Sequence, residues 1–269
     1  MYQETIEKCA VVAARIKNTS ANNPLSFWIG SLMAGAYVGL GIILIFTLGN
    51  LVDPVIRPLV MGATFGIALT LLIIAGAELY TGHTMFLTFG VKTGKLNSTQ
   101  AVGILAQSWT GNLLGSIVVA YLFYLGGGGQ ILPVDGSLVH KVALAKTAAP
   151  ALALFAKGML CNWLVCLAIW MCQRVEGAAK FIAIWWCLLA FIASGYEHSI
   201  ANMTLFALSW FGAHTPEYTL GGIGYNLLWV TLGNTVSGVL FMGLGYWYAT
   251  PRAQRPAVVA EANNHAQRA

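Results

Sequence analysis

The chain has 269 residues, of which 58% are hydrophobic and only 9% charged. Soluble domains carry about 25% charged residues, so this composition excludes a soluble globular protein, and the abundance of apolar side chains excludes a disordered one. The net charge of +5 fits cytoplasmic Lys and Arg flanking membrane segments rather than nucleic-acid binding.

The first 23 residues are polar and mixed in charge (Glu4, Glu7, Lys8, Arg15, Lys17). They lack the apolar core of a cleavable leader and read as a solvent-facing tail. Six apolar runs follow, at about 27–49, 59–89, 101–125, 148–171, 181–211 and 223–249. A bilayer needs about 20 apolar residues per helix and a barrel strand about 10, so each run reads as a helix. The stretch 251–269, rich in Ala, Asn and Arg, reads as a disordered cytoplasmic tail. This leaves one all-α transmembrane domain over residues 1–250.

With both termini inside, Lys8, Arg15, Lys17, Lys92, Lys95, Arg174, Lys180, Arg252, Arg255 and Arg268 are cytoplasmic. Arg57, Lys141 and Lys146 then lie outside, with Asp53, Asp135 and Glu217. The asymmetry sets the orientation. Cys9, Cys161, Cys166, Cys172 and Cys187 form no CxxC pair and read as small buried hydrophobes. His83, His140, His214 and His265 show no metal-ligand spacing; no metal and no cofactor is implied.

The second and fifth runs are overlong and interrupted. One reads Gly76-Ala77-Glu78-Leu79-Tyr80-Thr81-Gly82-His83-Thr84-Met85, the other Gly195-Tyr196-Glu197-His198-Ser199-Ile200-Ala201-Asn202-Met203. The third and sixth runs also match, through Gly111-Asn112 with Gly115 and Gly233-Asn234 with Gly238. Two halves, about 25–125 and 148–249, are therefore read as a repeat. Three spans per half make the second copy cross the membrane upside down, an aquaporin-like 3+3 arrangement with helices 2 and 5 broken. Paired broken spans in an inverted repeat point to a substrate path near the midplane.

A break frees backbone groups that lipid cannot satisfy, so it must be buried or face a water-filled cavity. The half-helix after each break presents free N–H groups and a positive dipole end, which suits small anions. Glu78 and Glu197 have two readings: functional intramembrane carboxylates, or acceptors that hold the broken loops in shape, together with Asn202. His198 has Leu79 as its counterpart in the other half. It is either a satisfied structural histidine or a titratable donor that charges, or hands a proton to, a weak-acid anion, facing the hydroxyl of Thr81. Lys146 is either a loop charge or an anion-attracting vestibule group. Asn112 and Asn234 follow close-packing glycines and either bond across helices or line the path.

Those two break sequences, with Lys157-Gly158, Cys161-Asn162 and Val165-Cys166 between them, resemble the formate/nitrite transporter family over about residues 5–250, and its nitrite-channel branch most. The resemblance implies a homopentamer in the bacterial inner membrane with one pore per subunit, taking nitrite first and formate or hydrosulfide next. It places the pore at His198, Thr81, Asn234, Lys146 and Glu197. Apolar constrictions map to Phe65, Leu69, Leu79, Tyr80, Val165 and Phe191; at Tyr80 the chain departs from the phenylalanine common in formate channels. Two other classes stay open. A neutral-solute channel of the aquaporin kind would carry Asn-Pro-Ala at both breaks, which have no proline here. An intramembrane enzyme would need a nucleophile and base, and Ser199 beside His198 does not face it on a helix.

Overall fold

A computed structural model describes residues 2–133 and 137–256. Asp135, His265, Arg268 and the rest of the tail from 257 lie outside the described residues. The described residues form helices, turns and irregular segments, with no strand among them.

Five helices are long and apolar enough to cross a bilayer: Pro24–Leu51, Arg57–Gly76, Ser98–Leu125, Ala151–Cys172 and Leu220–Ala249. The run over 181–211, read as a broken span, is two short apolar helices, Ala179–Ala193 and Ser199–Phe211. Numbered along the chain, the helices are α1 (Gln3–Asn22), α2 (Pro24–Leu51), α3 (Arg57–Thr70), α4 (Tyr80–Lys92) and α5 (Ser98–Leu125). There follow α6 (Leu138–Thr147), α7 (Ala151–Cys172), α8 (Ala179–Ala193), α9 (Ser199–Phe211), α10 (Leu220–Val236) and α11 (Gly245–Ala249). A wide π-helical turn at Leu71–Gly76 extends α3, and another at Ser237–Leu244 joins α10 to α11.

Local chemistry sets several starts. Pro24 opens α2, where its missing N–H costs nothing. Asn97 and Gln100 bond reciprocally to each other's backbone N–H and open α5. Thr219 accepts from the Gly222 N–H and opens α10.

The N-terminal segment is not a tail. It is the helix α1, whose Ile6, Cys9, Ala13 and Ile16 are buried. Their spacing of three and four puts them on one face, and that face packs on α4. At the other terminus the described chain stays packed past 251. Arg255 donates to the Thr250 carbonyl at 3.0 Å and lies over the rings of Trp247 and Tyr248.

The residues read as cytoplasmic converge at one end of the molecule. Lys8 Nζ reaches the Gln173 carbonyl, Lys17 Nζ the Lys95 carbonyl, Arg174 the Thr5 hydroxyl and Lys92 the Tyr248 hydroxyl. Arg57 and Lys146 line one cavity remote from that cluster.

Glycine lets two helix pairs touch backbone to backbone. On α5, a Cβ at Gly115 would meet the Leu32 carbonyl of α2; on α10, a Cβ at Gly233 would meet the Phe155 carbonyl of α7. Rotating a side chain cannot relieve a clash with a main-chain oxygen. Gly115→Val is therefore expected to cost at least the ~1–3 kcal/mol of an overpacked core. Thermal denaturation in detergent checks this, and an unchanged midpoint would contradict the packing.

Candidate functional site

Two interruptions face each other in the middle of the bundle. The first follows Gly76, whose φ of 86° ends the π-helical turn, and runs extended through Ala77 to Leu79 before α4 begins. The second follows Gly195, with φ of 67°, and ends at extended His198, where α9 begins. Both turns use backbone that glycine adopts without a steric penalty.

Each interruption is held by one buried asparagine from another helix. Asn112 of α5 accepts from the Tyr80 N–H at 3.0 Å and donates to the carbonyls of Glu78 (3.0 Å) and Ser31 (2.7 Å). Asn234 of α10 accepts from the Ser199 N–H at 2.9 Å and donates to the carbonyls of Glu197 (3.0 Å) and Gly158 (2.7 Å). Both side chains have their amide hydrogens and an oxygen lone pair committed to backbone: an N–H and a carbonyl that the break would otherwise leave bare, and a carbonyl of the neighbouring helix to which the break is tied. The pattern continues at the glutamates. The Glu78 N–H donates to Gly30 on α2, and the Glu197 N–H to Lys157 on α7.

The carboxylates repeat it again. Glu78 takes Arg15 of α1 on one oxygen at 3.0 Å and the His83 Nε2–H on the other at 2.9 Å. Glu197 takes Lys146 of α6 on one oxygen at 2.7 Å and the Asn202 amide on the other at 2.6 Å. Asn202 also donates to Asn226, whose own amide donates to the Lys146 carbonyl. Each buried carboxylate thus has one cation and one neutral donor, which is what makes its burial tolerable.

His198 sits at the N-terminus of α9. Its Nδ1 accepts the Ala201 N–H at 3.1 Å, and its Nε2 lies 3.0 Å from Thr81 Oγ1 at the start of α4. A nitrogen that accepts from an N–H carries no proton, so Nε2 carries it and donates toward Thr81. The ring is a neutral donor with its basic nitrogen occupied. Phe191 flanks it at 5.9 Å and meets Phe65 edge-on at 5.5 Å.

Three cavities lie in series through this point. One, called inner because it adjoins the end read as cytoplasmic, has about 520 Å³ and is lined by Arg15, Glu78, His83, Leu69, Leu72 and Leu79, among others. An outer one of about 250 Å³ is lined by Arg57, Lys146, Tyr196, Phe191, Asn202 and His198, among others. Between them a space of about 20 Å³, room for a single water, is walled by Val38, Phe65, Ala68, Leu69, Leu72, Leu79, Val165, Leu188, Phe191 and His198. It shares Leu69, Leu72 and Leu79 with the inner cavity and Phe191 and His198 with the outer one. In that wall His198 is the only side chain with a polar atom.

Most of the residues singled out from the sequence meet here, and some take other places. His198 lies against Thr81, which itself lines none of the three cavities. Phe65, Leu69, Leu79, Val165 and Phe191 wall the middle space together. Tyr80 does not: its hydroxyl lies 2.6 Å from Thr235 on α10, and it lines none of the three cavities. Asn234, expected on the path, is fully buried behind the second break, with its amide spent on backbone. Glu197 lines no cavity either; it holds Lys146, which does. Glu78 and Asn202 are in the ties expected of them. Val38, Ala68, Leu72 and Leu188 escaped the sequence reading, because nothing marks one apolar residue in a spanning helix from its neighbours. Arg15 was hidden in a segment read as a tail.

The model of the formate/nitrite transporter family matches residues 3–248. The chain belongs to this family. Over 95% of its length it is 76% identical to the nitrite transporter NirC of Escherichia coli (strain K12), covering 95% of that protein. With the nitrite transporter NirC of Salmonella typhimurium (strain LT2) it shares 74% over 96% of its length and 95% of the relative's. Among solved structures, an ion channel of the same family superposes with a TM-score of 0.91 at 75% identity, over 92% of this chain and 99% of that one. A pentameric formate channel with formate bound gives a TM-score of 0.69 at 26% identity, over 84% and 96% of the two chains. As a formate/nitrite transporter family member with five long apolar helices, the protein is a multi-pass membrane protein.

Proposed function

We propose that the protein is a homopentameric channel of the bacterial inner membrane that carries small monovalent anions, nitrite first and formate next, along a path inside each subunit. The chain of three cavities narrowing at His198, whose Nε2 lies against the Thr81 hydroxyl, is the observation that supports this most directly. Each subunit is read as six spans in an inverted repeat, α3 with α4 and α8 with α9 making the two broken ones. The matched asparagine, glutamate and backbone ties of the two halves favour that reading.

The physics of the path follows from its wall. Lys146 and Arg57 give the outer cavity a positive field that gathers anions. The apolar middle strips water, and a bare ion there is costly. At that point the His198 Nε2–H and the Thr81 hydroxyl replace part of the lost hydration, reinforced by the positive N-terminal ends of α4 and α9. In this tautomer His198 offers a hydrogen bond and not its proton. A weak acid protonated by cavity water crosses the apolar stretch at far lower cost than its anion.

Flux into proteoliposomes tests the reading, with nitrite, formate and hydrosulfide compared across a set pH gradient. Nitrite should pass fastest, and no uptake above empty vesicles would refute the assignment. Orientation is tested by cysteine labelling in intact cells. Positions 53 and 217 should label from outside and position 92 should not; external labelling at 92 would reverse the topology.

A further inference from the structure

The inner cavity holds a titratable group that this path does not use. His83 on α4 is 3% exposed, with Nε2 on the Glu78 carboxylate and Nδ1 buried without a partner. A carboxylate only accepts, so Nε2 carries a proton. The neutral ring then leaves Nδ1 as a bare lone pair, and the cation would leave there an N–H with no acceptor. The unpaired basic nitrogen belongs to a ring whose other nitrogen is oriented by a carboxylate, the arrangement that makes an imidazole a proton acceptor.

Comparison with the second break shows that the tie itself does not call for a histidine. There, Asn202 makes the same bond to Glu197, five residues on from its glutamate as His83 is from Glu78. An amide suffices as donor, and it does not titrate. The histidine adds a base at the inner side alone. The titratable groups lining this cavity are Arg15 on α1, Glu78 at the break, His83 on α4 and Cys172 on α7. The ring of Phe27 on α2 stands 6.0 Å from the His83 ring. Arg15 is already tied to Glu78, so the carboxylate faces one fixed and one variable positive charge.

We propose that Glu78 and His83 form a proton-accepting dyad at the inner end of the path. Resting on the anion-channel reading above, this assigns the weak acid's proton a destination. The acid's O–H bond breaks as an N–H bond forms at His83 Nδ1. The anion leaves into the inner cavity, and Glu78 balances the imidazolium until the proton passes to cavity water. The ring sits in the cavity wall, and the step requires Nδ1 to come within reach of that water. His198 has no free basic nitrogen for this task, because α9 occupies it.

A protonated acceptor cannot receive, so uptake should fall as the vesicle interior is acidified at constant outside pH. The fall is read as the ratio of uptake rates at interior pH 7.5 and 5.5 and should be severalfold. The test follows nitrite uptake and interior acidification together in proteoliposomes of the assembled channel. His83→Asn copies the amide tie of the other break and removes the base. It should flatten the interior-pH dependence to less than about twofold and lower the protons delivered per nitrite. His83→Gln, with a longer amide, provides the same test if the first variant assembles poorly. A wild-type interior-pH profile in either assembled variant would overturn the proposal. So would a wild-type channel that carries nitrite with no interior-pH dependence at all. Absence of wild-type nitrite uptake would instead refute the channel reading.

Discussion

Asn234→Leu should abolish the folded channel rather than merely slow it. The substitution leaves the Ser199 N–H and the Glu197 carbonyl of the break without a partner and takes a cross-helix donor from the Gly158 carbonyl, which keeps its place in α7. Each buried group left bare costs about 1–3 kcal/mol, so the two in the break cost roughly 2–6 kcal/mol, a large share of the whole stability of an ordinary domain. Asn234→Asp should be nearly as severe, because a carboxylate cannot donate to the two carbonyls. Asn112→Leu should match it on the other side, since its three bonds are of the same kind. Gel filtration of detergent extracts and thermal melting give the readout. A monodisperse Asn234→Leu protein melting within a few degrees of wild type would mean that water or a neighbouring side chain takes over the clamp.

The second large effect lies at His198, and here folding and transport should separate. In His198→Asn the side-chain oxygen can still accept the Ala201 N–H, as asparagine does at many helix starts, so the protein should assemble. The shorter amide no longer reaches Thr81, and the middle of the path loses a donor. A hydrogen bond to a charged group is worth about 1.5–3 kcal/mol, which predicts nitrite uptake about 10- to 150-fold lower. His198→Phe removes both the donor and the cap; it should bring uptake to the level of empty vesicles and lower the melting midpoint as well. Wild-type uptake in an assembled His198→Asn channel would leave Thr81 and the helix ends to do the work alone.

How much of this was legible in the sequence depended on whether a residue broke a pattern. Glu78, Glu197 and His198 stood out because charge and titration are rare in apolar runs, and the apolar runs themselves marked the helices. The repeat was legible through Gly-Asn and Gly-x-Glu. The choice between the two readings of the asparagines was not: Asn234 was read as bonding across helices or as lining the path, and its amide is consumed by backbone groups that only the folded chain brings to it. Tyr80, mapped to a constriction by resemblance alone, lies elsewhere for a similar reason. Its place in the chain, next to Leu79 and Thr81, says nothing of the side of α4 on which its ring emerges, and its hydroxyl finds Thr235. The division of the segment 181–211 was legible in Gly195-Tyr196-Glu197; that neither piece has spanning length by itself was not. Arg15 was invisible because α1 draws its helical face from only Ile6, Cys9, Ala13 and Ile16 within a charged stretch.

The two asparagine clamps grip main-chain atoms only. Neither reads the identity of the side chain that hangs from the loop it holds, so Leu79 and His198 occupy matching sockets although one is greasy and the other a hydrogen-bond donor. The same is true one turn on, where His83 and Asn202 are exchanged against equivalent carboxylates. A frame indifferent to its fittings allows the polar hardware of the path to be replaced piece by piece, with the helices and their crossings untouched. Shifts in which acid is carried, or from which side, would then require changes at a few loop positions and no new architecture.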